Sequence, residues 1–518
     1  MSHLLKTSRC AGRLILLLGI VSAIPRHAWA QNPPLRGFDA YVDQALRDWR
    51  VPGVAVAVVR NDSVVFAKGY GVRELGKAAR VDAHTLFAIG STTKAFTAAA
   101  LALLVDSGKV AWDDPVTKHL PALELADPYV TRELTVRDLL THRSGLPRGD
   151  LAWYGSGFDR SEVLRRVRYL KPRWSFRSTY GYQNIMFLAA GEVVAAASGR
   201  PWADFLKTRI FTPLGMTETN TSVTALGDGD VAAPHEKIDD TVRAVAWRNI
   251  DNIAPAGSIN SNVTDLAQWV RLQLGGGSVG GRRLLSDSVV EEMHTPQMVV
   301  RMSKEARETF PDAHFMAYGL GWFLRDFHGK KFVGHGGAID GMRAEIGLIP
   351  EARLGVVVLC NLGGTSFPVA IMHRALDAYL GAPPRDWSGS LLAMERKAEA
   401  RDDSTRKAFE AARVADTRPS LPLEKYAGTY DDSLYGQLEI AEQGGKLVAR
   451  KGPAFAGDLT HWHFDTFKVT WRDRRLGTTY FTFKVDGEGK VSSLEVRNLG
   501  EFKRSAPPPA RQAARPTQ

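Results

Sequence analysis

The order in which strand-like and helix-like stretches occur constrains this 518-residue chain more than its composition does. Two apolar, β-branched runs, 54–60 and 64–70, flank Asn61-Asp62 and read as a hairpin. Helical spacing of apolar residues then takes over, beginning at Ser91 and recurring at 160–170, 185–197, 202–211 and 263–274. Strand character returns late, at 319–325, 331–333, 342–349 and 354–361, with short connections that favour an antiparallel meander. A helix over 368–380 follows. Strands first, helices between and strands last predict an α/β (α+β) domain, with one antiparallel sheet built from both ends, flanked by helices and interrupted by an all-helical insertion. A site between the two halves would lie in a cleft.

The chain is too long for one core. Past 381 the composition shifts: Pro383-Pro384, a highly charged helical stretch over 394–414, then alternating strands and glycine turns to residue 504. The expected organisation is a leader over 1–30, the sheet-and-helix domain over 31–381, a charged helical linker over 382–421, an all-β unit over 422–504 and a disordered tail over 505–518.

The leader has Lys6, Arg9 and Arg13 ahead of the apolar run 14–24, then Ala28-Trp29-Ala30 before Gln31, which is the pattern of a secretory signal peptide. Removing its four basic residues takes the net charge from +11 to +7. That scattered excess has no basic stripe interleaved with aromatics, so nucleic acid is not an expected partner. No later run is long enough to span a bilayer. An exported protein, periplasmic or secreted, is expected. Cys10 leaves with the leader, and Cys360 reads as a buried strand residue, so no internal disulfide is expected. The thirteen histidines are scattered and His-Glu-x-x-His is absent, so no metal site is expected.

Three short motifs carry chemistry. Ser91 and Lys94 are three residues apart at the start of an Ala/Leu-rich helix, close enough for a buried, neutral lysine to take the serine proton. An ordinary helix cap at Ser91 with a solvated lysine gives the same spacing. Tyr182, in Tyr180-Gly181-Tyr182-Gln183-Asn184, can relay protons as a phenolate stabilised by Lys94, and Asn184 can bond Lys94 and the substrate amide; packing and capping are the alternatives. In Val333-Gly334-His335-Gly336-Gly337-Ala338 the small residues leave room for substrate, and the Ala338 N–H can join that of Ser91 as an oxyanion hole. His335 can add a hydrogen bond or a conditional positive charge there, or be a loop histidine beside a glycine turn.

In this order and spacing the motifs resemble the serine β-lactamase and penicillin-binding-protein superfamily, most closely its class C-like serine hydrolases of the His-x-Gly type. Leu140-Thr141-His142-Arg143-Ser144-Gly145-Leu146-Pro147 and Pro255-Ala256-Gly257-Ser258 before Asp265-Leu266 are further hallmarks, and the resemblance covers roughly 39–380. It implies Ser91 as acylated nucleophile, Lys94 as base or electrostatic partner, Tyr182 as proton relay, Asn184 as substrate-orienting group, His335 and Gly337 as the third motif, and no cofactor. Where many relatives carry Lys-Thr/Ser-Gly to hold a substrate carboxylate, this chain has His335-Gly336-Gly337. Each charge-assisted bond lost there costs about 1.5–3 kcal/mol, roughly ten- to a hundredfold. That favours an esterase or peptidase over an efficient β-lactamase. Residues Tyr426-Ala427-Gly428-Thr429-Tyr430, Gly436, His461-Trp462 and Asp465-Thr466-Phe467 resemble the lipocalin-like barrel appended to some of these hydrolases, with Trp462 packing in the barrel.

The expectation is an exported serine hydrolase acting on small esters, D-aminoacyl peptides or β-lactam-type substrates, with a homo-oligomer compatible with it. The alternatives are a penicillin-binding sensor or scaffold that acylates or binds without turnover, and a true class C-like β-lactamase.

Overall fold

The computed structural model describes residues 34–505, so the leader, and all of the tail but Ser505, lie outside the described residues. A first domain is built on eight strands: β1 (Gly53–Arg60), β2 (Ser63–Gly71), β3 (Met298–Val299), β4 (Met316–Tyr318), β5 (Phe323–Phe327), β6 (Lys330–Ile339), β7 (Met342–Ile349) and β8 (Leu354–Cys360). Their spatial order is β2-β1-β8-β7-β6-β5-β4-β3, and every pairing is antiparallel. The two ends of the domain meet where β1 pairs with β8, Val54 opposite Cys360 through Arg60 opposite Leu354.

Helices cover both faces, which explains the unbroken apolar runs in β1 and β8. Ala55, Ala57, Val357 and Leu359 face the core shared with α2 (Thr93–Asp106), α3 (Asn184–Ser198) and α4 (Val263–Leu274). Val54, Val56, Val356, Val358 and Cys360 face the core shared with α1 (Phe38–Trp49) and α5 (Phe367–Leu380).

Several boundaries differ from the sequence reading. The expected strand over 319–325 is strand only from Phe323; residues 319–322 are a turn joining β4 to β5, where Gly321 adopts φ 79°. A Cβ there would stand 2.9 Å from the Lys94 carbonyl oxygen, so the turn packs directly on the start of α2. The expected strand 331–333 runs on to Ile339, its glycines held in the ladder by β7. The helix expected over 202–211 becomes α-helix at Trp202–Leu206 and a π-turn at Lys207–Phe211. The linker helix, α6 (Trp387–Ala411), starts earlier than expected because Trp387 is buried and donates its Nε1–H to Asp377 Oδ2 at 2.6 Å.

The C-terminal unit is a closed barrel of eight antiparallel strands, β9 (Gly428–Asp432) to β16 (Gly500–Arg504), with Tyr430 opposite Arg504 at the closure. Tyr426, Tyr430, Phe467, Trp471 and Phe483 fill it. Trp462 packs outside the barrel rather than in it. A bulge beside it turns the ring onto Phe409 of α6, centroids 6.0 Å apart and nearly parallel.

Candidate active site

Ser91 sits on a single 3₁₀ turn, Gly90–Thr92, that leads into α2. The turn is tight because Gly90 adopts φ 51°, and a Cβ there would lie 2.5 Å from the Ala338 nitrogen. Gly337 is held to glycine from the other side: its Cβ would stand 1.9 Å from the Ile89 carbonyl and 3.1 Å from the Ser91 nitrogen. The backbones of Ser91 and Ala338 are therefore pressed together. β5 pairs with β6 only as far as Gly334, and the two-residue turn to β7 makes Ile339 and Met342 the first bonded pair. By alternation the Ala338 N–H points off the free edge of β6. Ser91 and Ala338 both line a cavity of about 320 Å³.

Lys94 is fully buried, and burial pushes its pKa well below the ordinary lysine value. Its Nζ has three neighbours: Ser91 Oγ at 3.0 Å, Asn184 Oδ1 at 2.8 Å and the Ala256 carbonyl at 2.7 Å. Asn184 cannot be the other way round, because its Nδ2 donates to Asp150 Oδ1 at 2.9 Å. A neutral amine has two N–H groups and one lone pair. Asn184 Oδ1 and the Ala256 carbonyl can only accept, so they take both protons and the lone pair is left for the Ser91 hydroxyl. Ser91 is therefore not a helix cap; no side chain caps this turn.

The Tyr182 hydroxyl interacts with Ser91, and burial raises its pKa, so it is a neutral phenol rather than the phenolate considered from the sequence. The Arg148 guanidinium lies 4.9 Å from the centre of its ring, and the His142 ring lies against it with centroids 4.1 Å apart. The hallmark stretch 140–147 thus has a packing role: His142 Nδ1 accepts the Gln183 N–H at 3.0 Å and fixes the segment that carries Tyr182. The Pro255-Ala256 hallmark has one too, with Ala256 bonded to Lys94 and the Pro255 carbonyl accepting from Thr97 Oγ1 at 2.7 Å.

Ser91, Lys94, Tyr182, Asn184 and Ala338 converge, and Gly337 supports them from behind. His335 does not join them. Its Nδ1–H donates to the Gly336 carbonyl at 2.6 Å, so Nε2 accepts from the Tyr318 hydroxyl at 2.9 Å. Burial lowers its pKa to about 3, and with both nitrogens occupied it presents neither charge nor free donor to the cavity.

Sequence reasoning missed the acidic wall. Asp150 follows the hallmark stretch directly and also accepts from Arg148 Nε at 2.6 Å and Trp153 Nε1 at 3.0 Å. Asp340, at the turn after β6, accepts from the Tyr154 hydroxyl at 2.8 Å, Arg248 Nε at 2.8 Å and Arg475 Nη1 at 3.0 Å. Arg475 belongs to the barrel, so the second domain reaches the rim of the cavity. Among the described residues no cluster of His, Cys, Asp or Glu is arranged to hold a metal, and no helix is long and apolar enough to cross a membrane.

The family profile described as Beta-lactamase matches residues 38–380. The chain belongs to the β-lactamase family. As a member of this serine β-lactamase and penicillin-binding-protein superfamily it is a serine hydrolase. Residues 412–507 match a domain of unknown function, DUF3471, which spans the barrel. The unguisins hydrolase ungD of Aspergillus violaceofuscus is 31% identical over 464 residues, covering 82% of this chain and 80% of the relative. The octameric penicillin-binding protein homologue from Pyrococcus abyssi superposes with a TM-score of 0.59 at 25% identity, over 90% of this chain and 100% of that one. The D-amino acid amidase from Ochrobactrum anthropi SV3 shares the fold, with a TM-score of 0.56 at 24% identity over 67% of this β-lactamase-family chain and 99% of its own.

Proposed function

We propose that the protein is an exported hydrolase that cleaves ester or amide bonds in small molecules or short peptides through an acyl-Ser91 intermediate, with no cofactor. The observation that carries the reading is the donor count at Lys94 Nζ, which leaves its lone pair facing the Ser91 hydroxyl. Lys94 takes the proton as Ser91 Oγ bonds to the substrate carbonyl. The negative charge that develops on the carbonyl oxygen as the tetrahedral intermediate forms is held by the N–H groups of Ser91 and Ala338. The Lys94 proton then passes through the Tyr182 hydroxyl to the leaving group, which departs and leaves acyl-Ser91. Water repeats the sequence: it loses its proton to Lys94 as it bonds to the acyl carbon, and Lys94 returns that proton to Ser91 Oγ as the C–Oγ bond breaks, releasing the acid and free Ser91.

Export is supported by the charged, apolar and small-residue order of residues 1–30. The neutral, turned-away His335 supplies no cation or free donor for a substrate carboxylate, which favours an ester or amide over a carboxylate-bearing β-lactam. A homo-oligomer is compatible with this reading, the Pyrococcus abyssi homologue being octameric. The test is a panel of p-nitrophenyl acetate and butyrate, D- and L-aminoacyl anilides and nitrocefin, run with the wild type and Ser91→Ala. Ser91-dependent ester or anilide turnover with little nitrocefin cleavage is the expected result. Labelling of Ser91 without turnover would make the protein a sensor instead, and fast nitrocefin turnover would make it a β-lactamase.

A further inference from the structure

Three carboxylates line the cavity beside Ser91: Asp150, Asp340 and Glu236. The first two are neutralised, by Arg148 and by the pair Arg248 and Arg475. Glu236 is not. Its Oε1 accepts the Gly341 N–H at 2.6 Å, and among the described residues it has no ion-pair partner. The cation whose charge acts on it, Arg475, is already held by Asp340 and Asp473.

The surroundings fix this carboxylate and leave it uncovered. Its neighbour His235 is locked, Nδ1–H donating to the Asn361 carbonyl at 3.0 Å and Nε2 accepting the Leu75 N–H at 3.1 Å. The Gly363 N–H donates to the His235 carbonyl at 2.9 Å. A Cβ on Gly363 would stand 2.3 Å from Glu236 Oε1 and 2.7 Å from Oε2, so a side chain there would displace the carboxylate from this position. Half-buried acid with one N–H donor costs free energy unless a cation completes it. Burial also raises its pKa above the ordinary glutamate value.

Spacing limits where that cation sits on a substrate. Gly341, which holds Glu236, is three residues past Ala338 around the hairpin turn, so at a limit of ~3.3–3.6 Å per residue the two backbones are no more than roughly 11 Å apart and a side-chain amine of the substrate can span the gap. We infer that Glu236 anchors a primary ammonium of the substrate within that reach, either the end of a lysine-like side chain or the free amino terminus of the adjacent residue. This rests on the hydrolase reading and adds the substrate class to it.

The test uses the full chain and two matched pairs of p-nitroanilides. One pair is 6-aminohexanoyl against hexanoyl; the other is glycylglycyl against its N-acetyl form. The readout is the ratio of kcat/KM within each pair, which cancels any general loss of activity. A preference of about ten- to a hundredfold for the amine is expected in at least one pair, and the pair that shows it identifies the source. The preference should fall to within threefold of unity in Glu236→Gln and be partly kept in Glu236→Asp. Wild-type ratios near unity in both pairs would overturn the inference, as would a preference that survives Glu236→Gln. If none of the four anilides is turned over, the p-nitrophenyl ester panel decides the hydrolase reading by itself. Calorimetric binding of the same pairs to Ser91→Ala then decides the inference: tighter binding of the amine, lost on adding Glu236→Gln, upholds it, and equal binding overturns it.

Discussion

Replacing Asn184 by leucine removes the acceptor that orients the Lys94 amine, the base of the proposed mechanism, while filling the same space. In the native site the two N–H groups of neutral Lys94 are held by Asn184 Oδ1 and the Ala256 carbonyl. In the variant one N–H loses its partner at a position with no solvent exposure. Its cheapest relief is to turn and donate to Ser91 Oγ, which points the lone pair away from the serine proton. Restoring the productive orientation then costs what an unpaired buried N–H costs, about 1–3 kcal/mol. That corresponds to roughly a 5- to 150-fold slower acylation. Stopped-flow release of p-nitrophenol from p-nitrophenyl acetate measures this step, with circular dichroism confirming the fold. A folded Asn184→Leu that acylates within twofold of the wild type would refute the donor-count argument. A loss confined to KM would refute it as well, because the argument concerns the attacking step.

Other outcomes follow from the same geometry. Gly337→Ala places a methyl group 1.9 Å from the Ile89 carbonyl and must separate Ala338 from Ser91, so kcat should fall by about a hundredfold or more. Lys94 is charged when unfolded and neutral when folded, so between its lowered folded pKa and about 10.4 the unfolded chain binds more protons and stability rises with pH. Urea titrations at several pH values should show that slope reduced in Lys94→Met. His335 gives a second window by the same sign: its folded pKa of about 3 lies below the ordinary 6.5, so it adds stability as pH rises from about 3 to 6.5, and His335→Gln should flatten that limb. Arg475→Ala leaves Asp340 with Arg248 alone, and should cost about 1–3 kcal/mol and expose the barrel junction to limited proteolysis.

The sheet was readable from sequence because its strands are bounded by turns and carry apolar runs suited to burial on both faces. The closing pair of β1 and β8 followed from strands lying at both ends of the domain. The turn at 319–322 was not readable, since Leu320 and Trp322 look like strand residues and only packing of Gly321 on Lys94 bends the chain. Ser91 and Lys94 were marked by a spacing that an ordinary helix cap shares, and were singled out by the resemblance that the three motifs carry together. His335 was legible as part of a motif but not in its role. Val333, His335 and Gly337 have the same parity along β6, and Val333 faces the inner core, where Tyr318 waits for the ring. The acidic rim was beyond reach of any local signal. Tyr154 and Arg475 meet Asp340 across 186 and 135 residues of sequence, and no spacing rule brings them together.

The most direct test of acyl transfer through Ser91 is mass spectrometry of the protein acid-quenched milliseconds after mixing with p-nitrophenyl acetate at pH 7. One acetyl group on the peptide that contains Ser91, absent from Ser91→Ala and much reduced in Lys94→Met, is the predicted result. An acetyl group elsewhere, or turnover that persists in Ser91→Ala, would contradict it.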